Sequence, residues 1–262
     1  MALWIVATPI GTLSDLSPRA REVLASAAVI AAEDTRTTRK LLAATGIESP
    51  PLVALHAHNE DGISQRLAER ALTEEVVVVS DAGTPGISDP GTPVIAAAHR
   101  IGARIRSVPG PSALAAALAA SGFPAVPSTF IGFPPRKGRD GFAAEVLARP
   151  EAVVIYEAPT RIGDLVERLA ALAPTREAAL CREISKHYEE IRRAPLAEMV
   201  GTFEEVRGEC VLVVGPGEAT IAEAPVLGDD VPLGAIAQAL AHRWGCSRKE
   251  AYDALLKLER SR

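Results

Sequence analysis

Residues 80–91 read Ser-Asp-Ala-Gly-Thr-Pro-Gly-Ile-Ser-Asp-Pro-Gly, SDAGTPGISDPG. The run follows the apolar stretch Val76–Val79 and precedes a helical pattern starting near Thr92. Its Gly and Pro positions force tight turns and leave backbone N–H groups exposed at the end of a strand. In parallel α/β sheets, ligands bind at the carboxyl edge of the strands. An ordinary connection capped by Asp89 is the plainer alternative. Twelve residues this dense in turn formers exceed what a connection needs, so the loop reads as a site. Asp81, at the strand end, is placed to accept hydrogen bonds from a ribose or an amine.

Outward from this loop, strand-like and helix-like pieces alternate. Leu3–Thr8 is a short apolar run of the kind covered on both faces. Ser17-Pro18 supplies an N-cap and a Pro at the first helical position, opening a helix to about Ala28. Val29–Ala32 follows as a strand, and Asp34 caps a helix through about Thr45. Leu52–Leu55, Val76–Ser80 and Arg104–Val108 continue the strands, with helical segments near 61–73 and 92–101. Such alternation implies a parallel sheet with right-handed crossovers. The Pro- and Gly-rich stretch 123–140 reads as a linker. Beyond it Val153–Tyr156, Ala178–Cys181 and Cys210–Val214 read as strands, with a helix from about Thr160 to Ala173. The expected organisation is an N-terminal α/β domain at 1–122, the linker, and a second α/β domain at 141–217. A tail at 231–262 carries helices at Leu233–Arg243 and Arg248–Arg260, the second opened by a Ser247/Glu250 capping box.

At 262 residues the chain can bury a sizeable core without staples, and its 48% hydrophobic content excludes wholesale disorder. Cys181, Cys210 and Cys246 form neither a CxxC nor a zinc pattern, so they read as small apolar residues. His56 and His58 share a face of an extended segment but find no third ligand, and no metal is expected. The N-terminal run reads as a buried strand rather than a signal peptide, and no apolar stretch reaches spanning length, so a cytoplasmic protein is expected. A net charge of −5 gives no global case for nucleic acid, so any RNA site must be a local patch.

Two further loops, Ala7–Leu13 (ATPIGTL) and Pro109–Ala113 (PGPSA), also follow strands. Neither is a GxGxxG fingerprint, and no GxxxxGK[ST] occurs, which removes dinucleotide and P-loop readings. Three Gly- or Pro-rich loops on one sheet edge suggest a flat, polar small molecule.

The segments ATPIGTLSDLSPRA, AEDTRTTRKLL, VSDAGTPGISDPG, PGPSA, GFPPRKGR and REISKHYEEIRR, in order from Leu3 to Val214, resemble the ribosomal RNA small subunit methyltransferase I family. These are cytidine 2′-O-methyltransferases of the tetrapyrrole methylase superfamily. Thr12 stands where Asn is usual, and Thr160 where His is common. The resemblance implies an α/β fold of two domains of the tetrapyrrole methylase type with a cleft between them, plus a small helical C-terminal extension, in a homodimer. It implies S-adenosylmethionine as cofactor, held by Pro9, Ile10, Asp81, Ala82, Gly83, Thr84, Pro85, Ser112, Ala113, Tyr156, Cys210 and Val211. It implies 16S rRNA in the small ribosomal subunit as partner, methylated near the decoding site, and no membrane. The porphyrin branch of the superfamily usually carries a GxGxGD-type first loop, so TPIGTL favours RNA over a tetrapyrrole carbon as acceptor. A non-catalytic ribosome-assembly factor is the other alternative.

On the RNA side, Arg36 and Lys40 share a face of the helix begun at Asp34, with Arg39 beside them. Arg136, Lys137 and Arg139 put three positive charges into four residues; alone the run suits a solvated loop, and beside a methyl-donor cleft it reads as a phosphate clamp. The tail holds six Lys or Arg against three acidic residues, with Arg248 and Lys249 at its second helix, and resembles a helix-turn-helix that binds RNA, a dimerisation or packing appendage being the alternative. A sulfonium methyl is already activated, so catalysis needs in-line positioning and removal of the ribose proton. Candidates for that work are Glu33, Asp34, Arg36 and Lys186, with Glu183 and His187 behind them. Glu157 either orients the ribose or pairs with Arg161.

Overall fold

The apolar run at 76–79 forms the centre of a five-stranded sheet. In a computed structural model, which describes residues 1–55, 60–203, 207–218, 234, 236–237 and 247–259, the first sheet contains β1 (Ala2–Val6), β2 (Val29–Ala32), β3 (Leu52–Ala54), β4 (Glu75–Val79) and β5 (Ile105–Val108). Their order is β3-β2-β4-β1-β5 and every pairing is parallel. Both faces are covered, as continuous apolar strands require. Val77 and Val79 face α1 (Pro18–Ala25) and α2 (Thr35–Ala44), packing with Leu24 and Leu42. Val76 and Val78 face α3 (Glu60–Arg70) and α4 (Thr92–Arg100), packing with Leu67 and Val94. The β1 crossover leads toward β2 and the β4 crossover toward β5, in opposite directions across the sheet. The loops after β1 and β4 therefore diverge, which opens a crevice at their carboxyl ends.

The second sheet contains β6 (Ser128–Gly132), β7 (Ala152–Glu157), β8 (Glu177–Arg182), β9 (Glu190–Pro195) and β10 (Cys210–Val214), ordered β6-β7-β10-β8-β9. Only the β6–β7 pair is parallel. One face packs on α6 (Arg139–Leu147), α7 (Ile162–Leu172) and α8 (Leu196–Met199), around Val146, Leu165, Leu169 and Met199. The other face, with Val154, Ala179, Val211 and Val213, receives α5 (Ala113–Ala120) through Ala117, Leu114 and Leu118. The chain from Met1 to Thr220 forms one compact unit.

The expected linker at 123–140 is corrected by this architecture. Ser128-Thr129-Phe130-Ile131 is β-prone, and as an edge strand it tolerates the flanking prolines. The second α/β portion therefore starts before residue 141. Strand β9 was also not expected. Its Glu190-Ile191-Arg192-Arg193 sequence is mostly exposed, as suits a charged edge.

Residues 221–262 form a second unit. Within it α9 (Arg248–Glu259) opens on the expected capping box, the Ser247 N–H donating to Glu250 Oε2 at 2.8 Å and the Glu250 N–H to Ser247 Oγ at 3.2 Å. Ala237, Ala251 and Leu255 pack together. Gly234, Ile236 and Ala237 are helical, whereas the rest of the expected Leu233–Arg243 helix, Trp244, Cys246 and the pair His56 and His58 lie outside the described residues. Among the described residues no helix is long and apolar enough to cross a membrane.

Leu165 is fully buried between α7 and the second sheet. Leu165→Ala is expected to lower unfolding free energy by about 2–5 kcal/mol through lost burial and a residual cavity. Chemical denaturation measures it, and an unchanged midpoint at unchanged slope would contradict this packing.

Candidate active site

Three loops at the carboxyl edge of the first sheet are bonded into one wall. After β1, the Thr8 N–H donates to the Gly83 carbonyl at 2.9 Å and the Gly83 N–H returns to the Thr8 carbonyl at 3.1 Å. The buried Thr8 hydroxyl donates to the Ser80 carbonyl at 3.2 Å. Gly83 has φ +87°, where a side chain would be strained. The Thr84 hydroxyl donates to the Pro111 carbonyl at 3.1 Å, tying the 80–91 loop to the third loop. There Ser112 caps α5. The ends of β2 and β4 are clasped as well: the Asp34 N–H donates to Asp81 Oδ1 at 3.0 Å, and the Asp81 N–H to Glu33 Oε2 at 3.3 Å.

The second sheet supplies the opposite wall through Tyr156 and Glu157 at the end of β7 and Cys210 and Val211 at the start of β10. Between the walls lies a cavity of about 420 Å³. Ten of the twelve residues expected at the donor site line it: Ile10, Asp81, Ala82, Gly83, Thr84, Ser112, Ala113, Tyr156, Cys210 and Val211. Pro9 and Pro85 are not among its lining residues. The Tyr156 ring is fixed edge-on against Phe130 at 4.8 Å and Phe133 at 5.6 Å.

The cavity is acidic. Glu33, Asp81, Asp89, Glu157 and Glu209 line it, and no Lys or Arg does so among the described residues. Asp89 is pushed up to about 6, first by burial and then by the negative charges of Glu33 and Asp81, against a hydrogen bond from the Ser80 hydroxyl. Burial also raises Asp81.

The remaining catalytic candidates stand around this cavity in different states. Glu33 lines it. Asp34 caps α2 and is held at about 2 by its hydrogen bonds from the Arg36 guanidinium, 2.6 Å away at the closest pair. Arg36 is thereby committed to Asp34, although its side chain is 82% exposed. Lys186 lies behind the wall. Burial pulls its pKa down, but hydrogen bonds to Glu183 at 2.8 Å and Glu209 at 3.0 Å outweigh that and leave it raised. The Lys186 ammonium is therefore a fixed cation. His187 is exposed and stands edge-on to Tyr188.

The 183–189 turn carries Lys186 and locks the two halves together beside the cavity. Glu183 and Ser185 have φ +51° and +65°. The Thr12 hydroxyl donates to the Ser185 carbonyl and the Ser185 hydroxyl to Asp15, each at 2.5 Å. Gly11 makes this approach possible, because a Cβ there would meet Lys186 Cγ at 2.5 Å and the Ser185 carbonyl oxygen at 2.6 Å.

Among the expected RNA contacts, Arg39, Lys40, Arg136 and Lys137 are exposed, and Arg248 and Lys249 are exposed in the second unit. Arg139 is a correction. Its side chain is 10% exposed and donates to Glu157 at 2.9 Å, Asp164 at 2.6 Å and the Arg161 carbonyl at 3.2 Å. Fully buried Glu157 also pairs with Arg161 at 2.7 Å, so its carboxylate is structural. A third charge in the 136–139 run looked like part of a clamp, but it begins α6 and pins that helix to α7.

Sequence reasoning missed Ile87, Ser88, Asp89, Phe133, Ala158, Pro159 and Glu209 as lining residues. Asp89 sits inside the loop already read as a site, and Phe133 within GFPPRKGR, so both signals were present. Nothing in the local sequence marks Glu209.

A family model described as Tetrapyrrole (Corrin/Porphyrin) Methylases matches residues 2–200. A Xylella fastidiosa protein named ribosomal RNA small subunit methyltransferase I is 41% identical, covering 95% of this chain and 97% of its own length. A Pseudomonas aeruginosa protein of the same name is 43% identical, over 86% and 82% of the two chains. Among solved structures, a uroporphyrin-III-C-methyltransferase from Thermus thermophilus superposes with TM-score 0.59 at 24% identity, covering 81% of this chain and 93% of its own. The methyltransferase CobJ superposes with TM-score 0.61 at 20% identity, over 82% and 94%. At these identities the structural likeness establishes the fold.

Arg139→Ala is expected to cost about 3 kcal/mol, as breaking a buried ion pair does. Arg136→Ala and Lys137→Ala should leave the melting temperature unchanged. A stable Arg139→Ala variant with weakened RNA binding would restore the clamp reading.

Proposed function

The chain belongs to the ribosomal RNA small subunit methyltransferase I family, with the tetrapyrrole methylase fold, and on that premise we propose that it methylates ribosomal RNA with S-adenosylmethionine as donor. The acceptor in this reading is the ribose 2′-oxygen of a cytidine in 16S rRNA, near the decoding site. The enzyme acts in the cytoplasm, as a homodimer.

The observation that carries the donor reading is the cavity, with carboxylates on its walls and no cationic side chain among the described lining residues. S-adenosylmethionine carries a sulfonium and an ammonium, and a partly desolvated acidic enclosure favours both. The Asp81–Thr84 loop, Ser112, Ala113, Tyr156, Cys210 and Val211 would hold it. When bound, it supplies a methyl group already activated by a positive sulfur. The chain's own work is then to exclude water, hold the acceptor oxygen in line and take its proton.

Exposed Arg39, Lys40, Arg136 and Lys137 supply phosphate contacts in this reading. Few phosphates can be neutralised by so small a set, and the chain's net charge is −5. Naked RNA should therefore bind weakly at physiological salt, and the assembled small subunit is the preferred substrate.

The test is transfer from isotopically labelled S-adenosylmethionine to unmodified small subunits, followed by nucleoside digestion and mass analysis. Label is expected in 2′-O-methylcytidine at one position, with slower transfer to naked RNA. Equal rates on both would refute the particle preference. Absence of label in RNA, with label appearing in a tetrapyrrole, would overturn the acceptor.

A further inference from the structure

An acceptor hydroxyl needs a proton acceptor, and the cavity offers several carboxylates in unequal states. Glu157 is fully buried against Arg139 and Arg161. Glu209 pairs with Lys186. Asp34 and Glu183, beside the cavity, are held below the ordinary carboxylate range by hydrogen bonds from Arg36 and Lys186 respectively. Three lining carboxylates have no cation in ion-pair contact among the described residues: Glu33, Asp81 and Asp89. Glu33 and Asp81 each accept a backbone N–H in the clasp between β2 and β4, which commits an oxygen of each to holding the two strand ends together.

Resting on the methyl-transfer reading above, we infer that Asp89 is the catalytic base, placed on the cavity wall by the 80–91 loop and flanked by Glu33 and Asp81 rather than by a cation. In the step, an oxygen lone pair of the ribose hydroxyl forms the new C–O bond to the methyl carbon. The C–S bond breaks with its electron pair going to sulfur, which becomes a neutral thioether. The hydroxyl proton passes to the Asp89 carboxylate and from there to water. A positive and a negative charge disappear together, so no net charge is stranded in the enclosure.

The groups that set the basicity of Asp89 come from several elements. Glu33 after β2 and Asp81 after β4 raise it, and the Ser80 hydroxyl lowers it. Tyr156 from β7 feels its negative charge, and Asp34 and Arg36 at the start of α2 act on neighbouring Asp81. Midpoint ionisation at about 6 leaves Asp89 mostly ionised at neutral pH, while keeping it more basic than an ordinary carboxylate.

Asp89→Asn and Glu33→Gln test the inference. Asp89→Asn is expected to lower kcat on small subunits about a hundredfold or more. It should still bind S-adenosylhomocysteine, which lacks the sulfonium, with a far smaller loss than in kcat. It should melt no lower than the unaltered chain, because it removes a carboxylate whose ionisation burial opposes. The rise in rate through pH about 6 should vanish with it. Glu33→Gln removes a like charge, so the acid limb of the rate profile and the Asp89 carboxyl titration, read by carbon-13 NMR, should move together to lower pH. An Asp89→Asn variant that keeps wild-type kcat or the acid limb overturns the assignment. So does one whose defect is chiefly lost S-adenosylhomocysteine binding. If the unaltered chain labels no RNA, the acceptor reading falls and this inference with it. Normal labelling by the unaltered chain with an unimpaired Asp89→Asn overturns the base alone.

Discussion

The pair of backbone hydrogen bonds between Thr8 and Gly83 is the constraint on which the site depends. A parallel sheet leaves the ends of its strands free to diverge, and here the β1 and β4 crossovers do diverge. Without a bond across that gap the two loops would each find their own conformation. The antiparallel bridge stitches them, and Gly83 makes it at a backbone angle of +87°. Everything lining the first-sheet wall hangs from that stitch. Ser80 is held through its carbonyl by Thr8, Asp81 joins Glu33 and Asp34, and Thr84 reaches the loop that starts α5.

The opposite wall is aligned by two different devices. Helix α5 leaves the first sheet but buries its apolar face on the second, so the loop bearing Ser112 and Ala113 is anchored at both ends. The 183–189 turn reaches back to Thr12 and Asp15, and Gly11 gives it room. Electrostatics then follow from placement. Cations that stand close by are taken up by Asp34, Glu157, Glu183 and Glu209, which leaves the lining carboxylates nearest the β2 and β4 ends to set the cavity's charge.

Much of this was legible in the residues. The continuous apolar strands, the Ser17-Pro18 start and the Asp34 and Ser112 caps are local signals, and local signals place local elements. The dense turn former run at 80–91 marked the wall correctly because a loop that must present its backbone needs Gly and Pro whatever it binds. Family resemblance supplied Tyr156, Cys210 and Val211, which no spacing in the sequence brings near Asp81. Strand β6 was hidden by flanking prolines that only an edge position excuses. Arg139 was misread because a basic run reports charge and not burial; its partners Glu157 and Asp164 lie 18 and 25 residues away. Asp89 lay inside the loop read as a site but was named only as the cap of the plainer alternative, since Glu33 comes near that loop only when β2 and β4 pair.

The allegiance of α5 has a consequence for how such a molecule can arise and be rearranged. By chain connection this helix belongs to the first half, and by packing it belongs to the second. A cut after it would strand one half with an unpartnered greasy helix and the other with a bare apolar sheet face around Val154, Val211 and Val213. The halves are therefore not interchangeable modules. Recombination between distant relatives at this junction has to bring a matching helix and sheet face together, so the two must change as a pair.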